Sequence, residues 1–163
     1  MQAIALDGFD LKLLEALQSD GSLTNSDLAE RVGLSPSQCS RRRAALEEAG
    51  VIARYRAELR PEALALDVLV FIEVTLATHS PDNAEKFRAL VQRLEEVQEA
   101  YAVTGASDYL VKLTVPTLKD LARVLNEVFL PHESVAHVRS SVVLDALKQT
   151  SRLPLGHLRA TAS

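Results

Sequence analysis

The chain has one cysteine, Cys39, so no internal disulfide can form. No apolar run approaches the ~20 residues that a membrane helix needs. The N-terminus lacks a charged start followed by an apolar run, which argues against a secretory signal. Low-complexity stretches and internal repeats are missing too, apart from a pseudo-symmetry between two halves of the C-terminal part. No segment is polar enough to demand disorder. Together these point to a reducing, cytoplasmic setting. Overall basic charge is also lacking: the net charge is −4. That is unusual for a nucleic-acid binder, but the local balance differs. Between Arg31 and Arg60 stand seven arginines against three glutamates. Phosphate attraction fades within about 10 Å in salt, so a local basic stripe can act inside an acidic whole. A solvated charged face accounts for the same excess equally well.

What is present, in 163 residues with 47% hydrophobic content, suffices for one ordinary domain or two small ones. The densest information lies in Leu23–Ile52, LTNSDLAERVGLSPSQCSRRRAALEEAGVI. Two short helices joined at Gly33 are expected here, preceded by a helix over Gly8 to Ser19. Three starts share one grammar: Asp7, Thr24 and Ser35 as caps, with Asp10, Asp27 and Gln38 three residues on. Leu6/Leu11, Leu23/Leu28 and Leu34/Cys39 stand at staple spacing. Pro36 suits the first position of the third helix and Gly50 its end. Phe9, Leu13, Leu14, Leu17, Leu28, Ala29, Val32, Leu34, Cys39, Leu46 and Ala49 are the expected core. This is the layout of a winged-helix-like helix-turn-helix, whose second helix reads the DNA major groove.

At 100° per residue, Cys39, Arg42, Leu46 and Ala49 face inward on that helix, and Ser37, Ser40, Arg41 and Ala44 outward. Ser37, Gln38, Ser40 and Arg41 are therefore candidates for base edges, since Arg suits guanine and Gln suits adenine. Arg43 and Arg54 are placed for phosphates, which orient without specifying. The Ser35 cap and Arg42, an inner brace for the helix, complete the candidate DNA-contact set. A protein-binding winged helix would show the same outline. Cys39, at a staple position without a second cysteine, reads as packing instead of a redox sensor.

Beyond Gly50, VIARYRAEL is β-prone and basic, a wing or a departing strand, and Pro61–Asp67 is a connector with room for one helical turn. Strands are then expected over Val68–Leu76, Val97–Thr104, Tyr109–Val115 and Val135–Leu144. Helices are expected over Pro81–Glu96 and Thr117–Leu130, the latter with Leu118, Leu121, Ala122, Leu125, Val128 and Phe129 on one face. The order βαββαβ is the ferredoxin-like split unit, so the fold class is α+β. Val68, Val70, Ile72, Val74 and Leu76 share one face of the first strand, while Leu69 and Phe71 lie on the other, which the two helices cannot also cover. An exposed apolar sheet face implies a partner, most simply a second copy about a two-fold axis.

The segments LDGFDLKLLEALQSDG, LAERVGLSPSQCSRRRAALEEAGVI, RYRAEL, VTGASDYLVKLTV and VRSSVVLDALKQTSRLPL resemble the Lrp/AsnC ("feast/famine") family of transcription regulators, in its order and spacing. The family usually has an apolar residue where this chain has Arg43. The resemblance implies a DNA-binding domain at 1–60 and a linker at 61–67. It further implies a ferredoxin-like effector-binding and oligomerisation domain at 68–150 and a tail at 151–163. It also implies homodimers that assemble further, often to octamers, with an amino-acid effector in clefts where dimers meet. By position, Thr104, Gly105, Ala106, Ser107 and Asp108 form one wall of that cleft, and Ser140, Ser141 and Val142 the second. The hydroxyls of Ser107 and Ser141 can donate to a carboxylate, and Asp108 can accept from an ammonium. Read without the resemblance, Gly105–Asp108 is an ordinary hairpin turn. No metal or cofactor is expected. Two rivals remain: a nucleoid-type architectural DNA-binding protein, and an enzyme resembling siroheme decarboxylases. The second would need His79, His132, His137 or His157 gathered into a site, and none follows a metal-ligand motif.

Overall fold

Each expected helix start in the N-terminal part is closed by its own side chains. The computed structural model describes residues 5–159, so the outermost ends of the expected 1–60 and 151–163 segments, and the start read for a secretory signal, lie outside it. Helices α1 (Gly8–Ser19), α2 (Asn25–Val32) and α3 (Pro36–Glu48) begin in reciprocal capping boxes made by Asp7 with Asp10, Thr24 with Asp27, and Ser35 with Gln38. Each box satisfies two backbone donors that a helix otherwise leaves orphaned, and truncating such a cap costs ~1 kcal/mol. Gly33 ends α2 at φ 79°, where a β-carbon meets its own backbone while the space around it is open. The three helices bury Leu13, Leu17, Leu23, Leu28, Ala29, Val32 and Cys39 together. Two expected core residues are outside. Phe9 is 40% exposed, its ring lying under the cationic groups of Lys12 and Arg42, and Ala49 caps α3 in solvent.

The chain divides into two compact units. One holds residues up to Glu58 and from Lys148 onward; the other is Leu59–Leu147. The segment read as a tail therefore belongs with the first unit. Gln18 clasps the Leu153 backbone from both sides, accepting from its N–H at 2.6 Å and donating to its carbonyl at 3.3 Å. Arg159, in the short helix α6 (Gly156–Arg159), pairs with Glu15. Residues 51–59, expected as a wing or strand, take no regular structure, because no strand lies alongside among the described residues. Pro61–Leu64 is a single 3-10 turn.

The second unit is a four-stranded antiparallel sheet in the order β2-β3-β1-β4, with β1 Val68–Leu76, β2 Val97–Ala102, β3 Tyr109–Val115 and β4 Val135–Val142. Helices α4 (Pro81–Arg93) and α5 (Leu118–Val124) complete the βαββαβ order of the ferredoxin-like fold. One sheet face, with Val70, Ile72, Val74, Val111, Leu113 and Val115, is buried against Phe87, Leu90, Leu121, Val124 and Phe129. The helix expected as one piece over Thr117–Leu130 changes pitch. After Val124 comes a π turn, Leu125–Phe129, in which Leu130 N–H reaches the Leu125 carbonyl at 2.9 Å. Such a turn holds one extra residue and rotates the apolar stripe. Phe129 is fully buried, whereas Leu118 and Ala122 are exposed. Helix α4 and strands β2 and β4 stop two or three residues short of their expected ends.

The opposite sheet face is exposed at Phe71, His137, Arg139 and Ser141, half-covered between them, and buried at Thr114. By register it carries Leu69, Phe71, Glu73 and Thr75 from β1, Leu110, Lys112 and Thr114 from β3, and His137, Arg139 and Ser141 from β4.

Candidate nucleic-acid interface and ligand turn

The run Arg41-Arg42-Arg43 sends three guanidinium groups to three destinations. Arg41 is exposed, with no ion pair among the described residues. Arg42 Nη1 lies 2.8 Å from Asp7 Oδ2 and 2.7 Å from Asp10 Oδ1, and its guanidinium sits 5.7 Å from the centre of the Phe9 ring. The two carboxylates that cap α1 thus also tie α3 to it. The Asp10 backbone N–H holds the Asp7 carboxyl below its usual range, and Arg42 adds to this against a partial loss of hydration. Arg43, expected at phosphates, is instead engaged internally. Its Nε donates to the Tyr55 hydroxyl at 2.9 Å and to Glu47 Oε1 at 3.2 Å, and its Nη1 donates to the Leu23 carbonyl at 3.2 Å. The guanidinium stacks 4.5 Å from the Tyr55 ring centre, and the Tyr55 hydroxyl donates to Glu47 at 2.8 Å. That hydroxyl, then Arg43, lowers the Glu47 carboxyl; burial, then the bond to Glu47, raises the Tyr55 phenol.

Ser37, Ser40 and Arg54 are exposed, as expected of contact residues. Gln38 is exposed but half committed, because its Oε1 accepts from both the Ser35 N–H and the Ser35 hydroxyl at 3.0 Å. A bidentate pair with adenine needs the amide oxygen and nitrogen together. While the capping box holds, Gln38 offers only its Nε2 donors. The Ser35 hydroxyl is likewise occupied by the cap.

In the second unit, the turn Thr104–Asp108 joins β2 to β3. Gly105 sits at φ 125°, a backbone setting that side chains disfavour, and Val103 N–H closes the turn on the Asp108 carbonyl at 2.9 Å. Asp108 has a structural duty. Strand β3 begins at Tyr109, opposite Val74, so the next inward-facing N–H of β1, that of Leu76, has no partner on β3. Asp108 Oδ2 accepts it at 2.7 Å, and Asp108 N–H donates to the Val74 carbonyl at 2.9 Å. The other oxygen lies 3.3 Å from His79 Nδ1. Ser107 Oγ donates to Glu73 Oε2 at 3.1 Å, and Arg139 stands 3.7 Å from the same oxygen.

Glu73 and Arg139 thus join the turn although sequence reasoning passed over them, and so does His79, which it weighed only for the enzyme reading. A usable signal existed for Glu73, the single charge in the apolar strand VLVFIEVTL. The two expected walls do not meet within one chain. Ser141 and Ser140 pair with Phe71 and Ile72, whereas the turn stands at the Val74–Leu76 end of β1. Ser141 shares the face opposite the helices with Phe71, while Ser140 and Val142 lie on the helix side at an exposed edge. The histidines stand on separate elements, with His132 Nδ1 2.8 Å from the Ser134 hydroxyl and His157 in α6. Among the described residues, no helix is long and apolar enough to cross a membrane.

Comparison with known proteins agrees with both halves of this description. Residues 6–53 match a winged helix-turn-helix DNA-binding model, and residues 69–153 match the Lrp/AsnC ligand binding domain. The leucine-responsive regulatory protein of Haemophilus influenzae is 43% identical over 93% of this chain and 91% of its own length. That of Escherichia coli K12 is 43% identical over 91% and 90%. Among solved structures, a transcriptional regulator of Neisseria meningitidis in complex with L-Met superposes with a TM-score of 0.92 at 40% identity. That match covers 94% of this chain and 99% of that one. Escherichia coli AsnC superposes at 0.84 with 26% identity, covering 93% and 100%. With a DNA-binding helix-turn-helix ahead of a ligand-binding ferredoxin-like unit, the chain belongs to the Lrp/AsnC family of transcription regulators.

Proposed function

We propose that this regulator reads DNA through Ser37, Ser40, Arg41 and the amide nitrogen of Gln38, with Arg54 on phosphates, and that it responds to an amino acid. The observation that carries the reading is the exposed face at the start of α3, where Ser37, Ser40 and Arg41 face solvent, Ser37 sharing a 3.1 Å hydrogen bond with the Ser35 hydroxyl, while Arg42 and Arg43 fasten the helix behind them. Ser35 and Arg42 then serve the interface by fixing the helix.

The effector reading draws on the L-Met complex of the Neisseria relative and on the donors and acceptors gathered at Ser107, Asp108 and Glu73. Because Thr104–Asp108 and Ser140–Val142 stand apart in one chain, the cleft takes one wall from each of two copies. Thr104, Gly105 and Ala106 supply backbone N–H groups for the carboxylate. The exposed sheet face around Phe71 joins two chains as a homodimer, and dimers assemble to larger rings, up to octamers. The domain roles are DNA binding for 1–60, linking for 61–67, and effector binding and oligomerisation for 68–150. The protein works in the cytoplasm, requires no cofactor and catalyses no reaction.

Competition between a labelled promoter fragment and bulk DNA tests the first half. Specific binders win by ~10³ or more. Competition within about threefold replaces sequence-directed regulation with an architectural, nucleoid-type role. A thermal-shift screen of the twenty amino acids tests the second half, since a ligand at 100 times its dissociation constant stabilises by roughly 2.7 kcal/mol. If none shifts the melting temperature, the effector is not an amino acid.

A further inference from the structure

The segment that follows α3 carries two arginines, Arg54 and Arg56, on either side of Tyr55. Both are exposed, and neither has an ion pair or hydrogen bond among the described residues. Their neighbour is fastened. The Tyr55 hydroxyl accepts from Arg43 and donates to Glu47, its ring lies under the Arg43 guanidinium, and its Cδ1 stands 3.4 Å from where a β-carbon on Gly21 would be. Backbone ties end just before: Val51 and Ile52 N–H both donate to the Leu46 carbonyl, at 2.9 and 3.1 Å. Residues 53–60 have no ladder to hold them, so Tyr55 is the next anchor along the chain. Consecutive Cα atoms are about 3.8 Å apart, so an anchored Tyr55 keeps the backbone of both arginines beside α3.

We propose that Arg54 and Arg56 form a phosphate-binding strap next to the recognition helix, and that Tyr55, through Arg43 and Glu47, is its positioning residue. The inference deepens the reading of α3 as the DNA reader and rests on it. It also accounts for Arg43: with its donors committed to Tyr55, Glu47 and Leu23, the helix gives up one cation at its flank, and the strap supplies two. A cation on a restrained segment sacrifices less conformational freedom on meeting a phosphate than one on a loose chain.

The test uses the full chain and a short fluorescent duplex of mixed sequence, with binding followed by anisotropy across a salt series. Withdrawing one cation from the phosphates lowers the slope of log K against log salt by about 0.9. Arg54→Ala/Arg56→Ala is expected to lower it by about 1.8 per bound protomer; an unchanged slope overturns the strap. Tyr55→Ala is expected to weaken binding in the parent chain and to add nothing in the Arg54→Ala/Arg56→Ala background. Tyr55→Phe, which keeps the ring under the guanidinium, retains most of the affinity. A residue that merely stabilises the fold would weaken both backgrounds alike, and that additivity overturns the positioning role. If the parent chain shows no salt-dependent binding, the reading of α3 fails first, a result distinct from either of these.

Discussion

Arg42→Met removes the cation that ties α3 to the start of α1 while keeping a long apolar stem over Phe9. Side-chain exposure is 28% for Arg42, 15% for Asp10 and 51% for Asp7. The Arg42–Asp10 contact is therefore largely shielded from water, and a charge-assisted bond of that kind contributes about 1.5–3 kcal/mol. The Asp7 contact is half in water and is discounted to about 0.5 kcal/mol. The variant should lose about 2–3 kcal/mol, a shift of roughly 10–20 °C for a unit of this size. Amide hydrogen exchange of α1 and α3 reports the first unit directly. A double-mutant cycle with Asp10→Asn, which keeps an acceptor for the Asp7 N–H, should give a coupling of about 1–2 kcal/mol. The Asp7 carboxyl titrates below its ordinary value, so its contribution is complete above the ordinary aspartate range and is lost as pH falls through the lowered value. The cost of Arg42→Met should accordingly shrink below about pH 4. A coupling under about 0.3 kcal/mol at neutral pH refutes the brace and returns Arg42 to the DNA-contact set.

Three further outcomes are expected. Arg41→Ala should reduce preference for a promoter fragment over random duplex by roughly 5- to 150-fold, the worth of one bidentate base contact; unchanged discrimination in the competition assay removes Arg41 from the readout. Asp108→Ala should destabilise the second unit by about 1–3 kcal/mol, since Leu76 N–H loses its acceptor, and should abolish the amino-acid response. Asp108→Asn should recover the stability without the response, and a normal ligand-induced melting shift in that variant removes Asp108 from the effector site. Phe71→Asp, on the exposed sheet face, should convert the assembly to monomers in sedimentation velocity; unaltered sedimentation means that another surface joins the copies.

The legible parts of the fold are those decided locally. The bounds of α1 and the caps of all three N-terminal helices follow from neighbours three residues apart, because a cap and its partner must sit within one turn. Strands β1 and β3 run over their expected residues because both lie at the centre of the sheet, with a neighbour on each side; burial alternates along β1, whereas β3 ends in three buried residues. The edge strands β2 and β4 end early, since an edge loses pairing where a single neighbour turns away. The π turn had no signature at all: an apolar stripe at i, i+3, i+4 reads the same whether or not one residue is inserted near its end.

The candidate site was legible as faces and not as partners. A helical wheel turns Arg42 inward, and it does face inward, but the carboxylates that receive it lie in another helix. Of the partners of Arg43, Glu47 stands four residues on and was within reach of sequence reasoning, whereas Leu23 and Tyr55 are twenty residues before it and twelve after. Asp108 looked like a turn residue with a spare acceptor because Leu76 is thirty-two residues away. The consequence reaches the electrostatics. A local excess of arginine between Arg31 and Arg60 measures charge along the chain, yet Arg42 faces Asp7 and Asp10, which lie outside that window, and Arg43 faces Glu47 within it. Two of the seven cations are thus answered inside the fold before any duplex approaches. What remains for phosphate is set by which guanidinium groups are left without an internal acceptor. On that ground five of the seven, Arg31, Arg41, Arg54, Arg56 and Arg60, are left without one among the described residues, and the proposed reading assigns the attraction to Arg41, Arg54 and Arg56, which stand on α3 or on the segment that follows it.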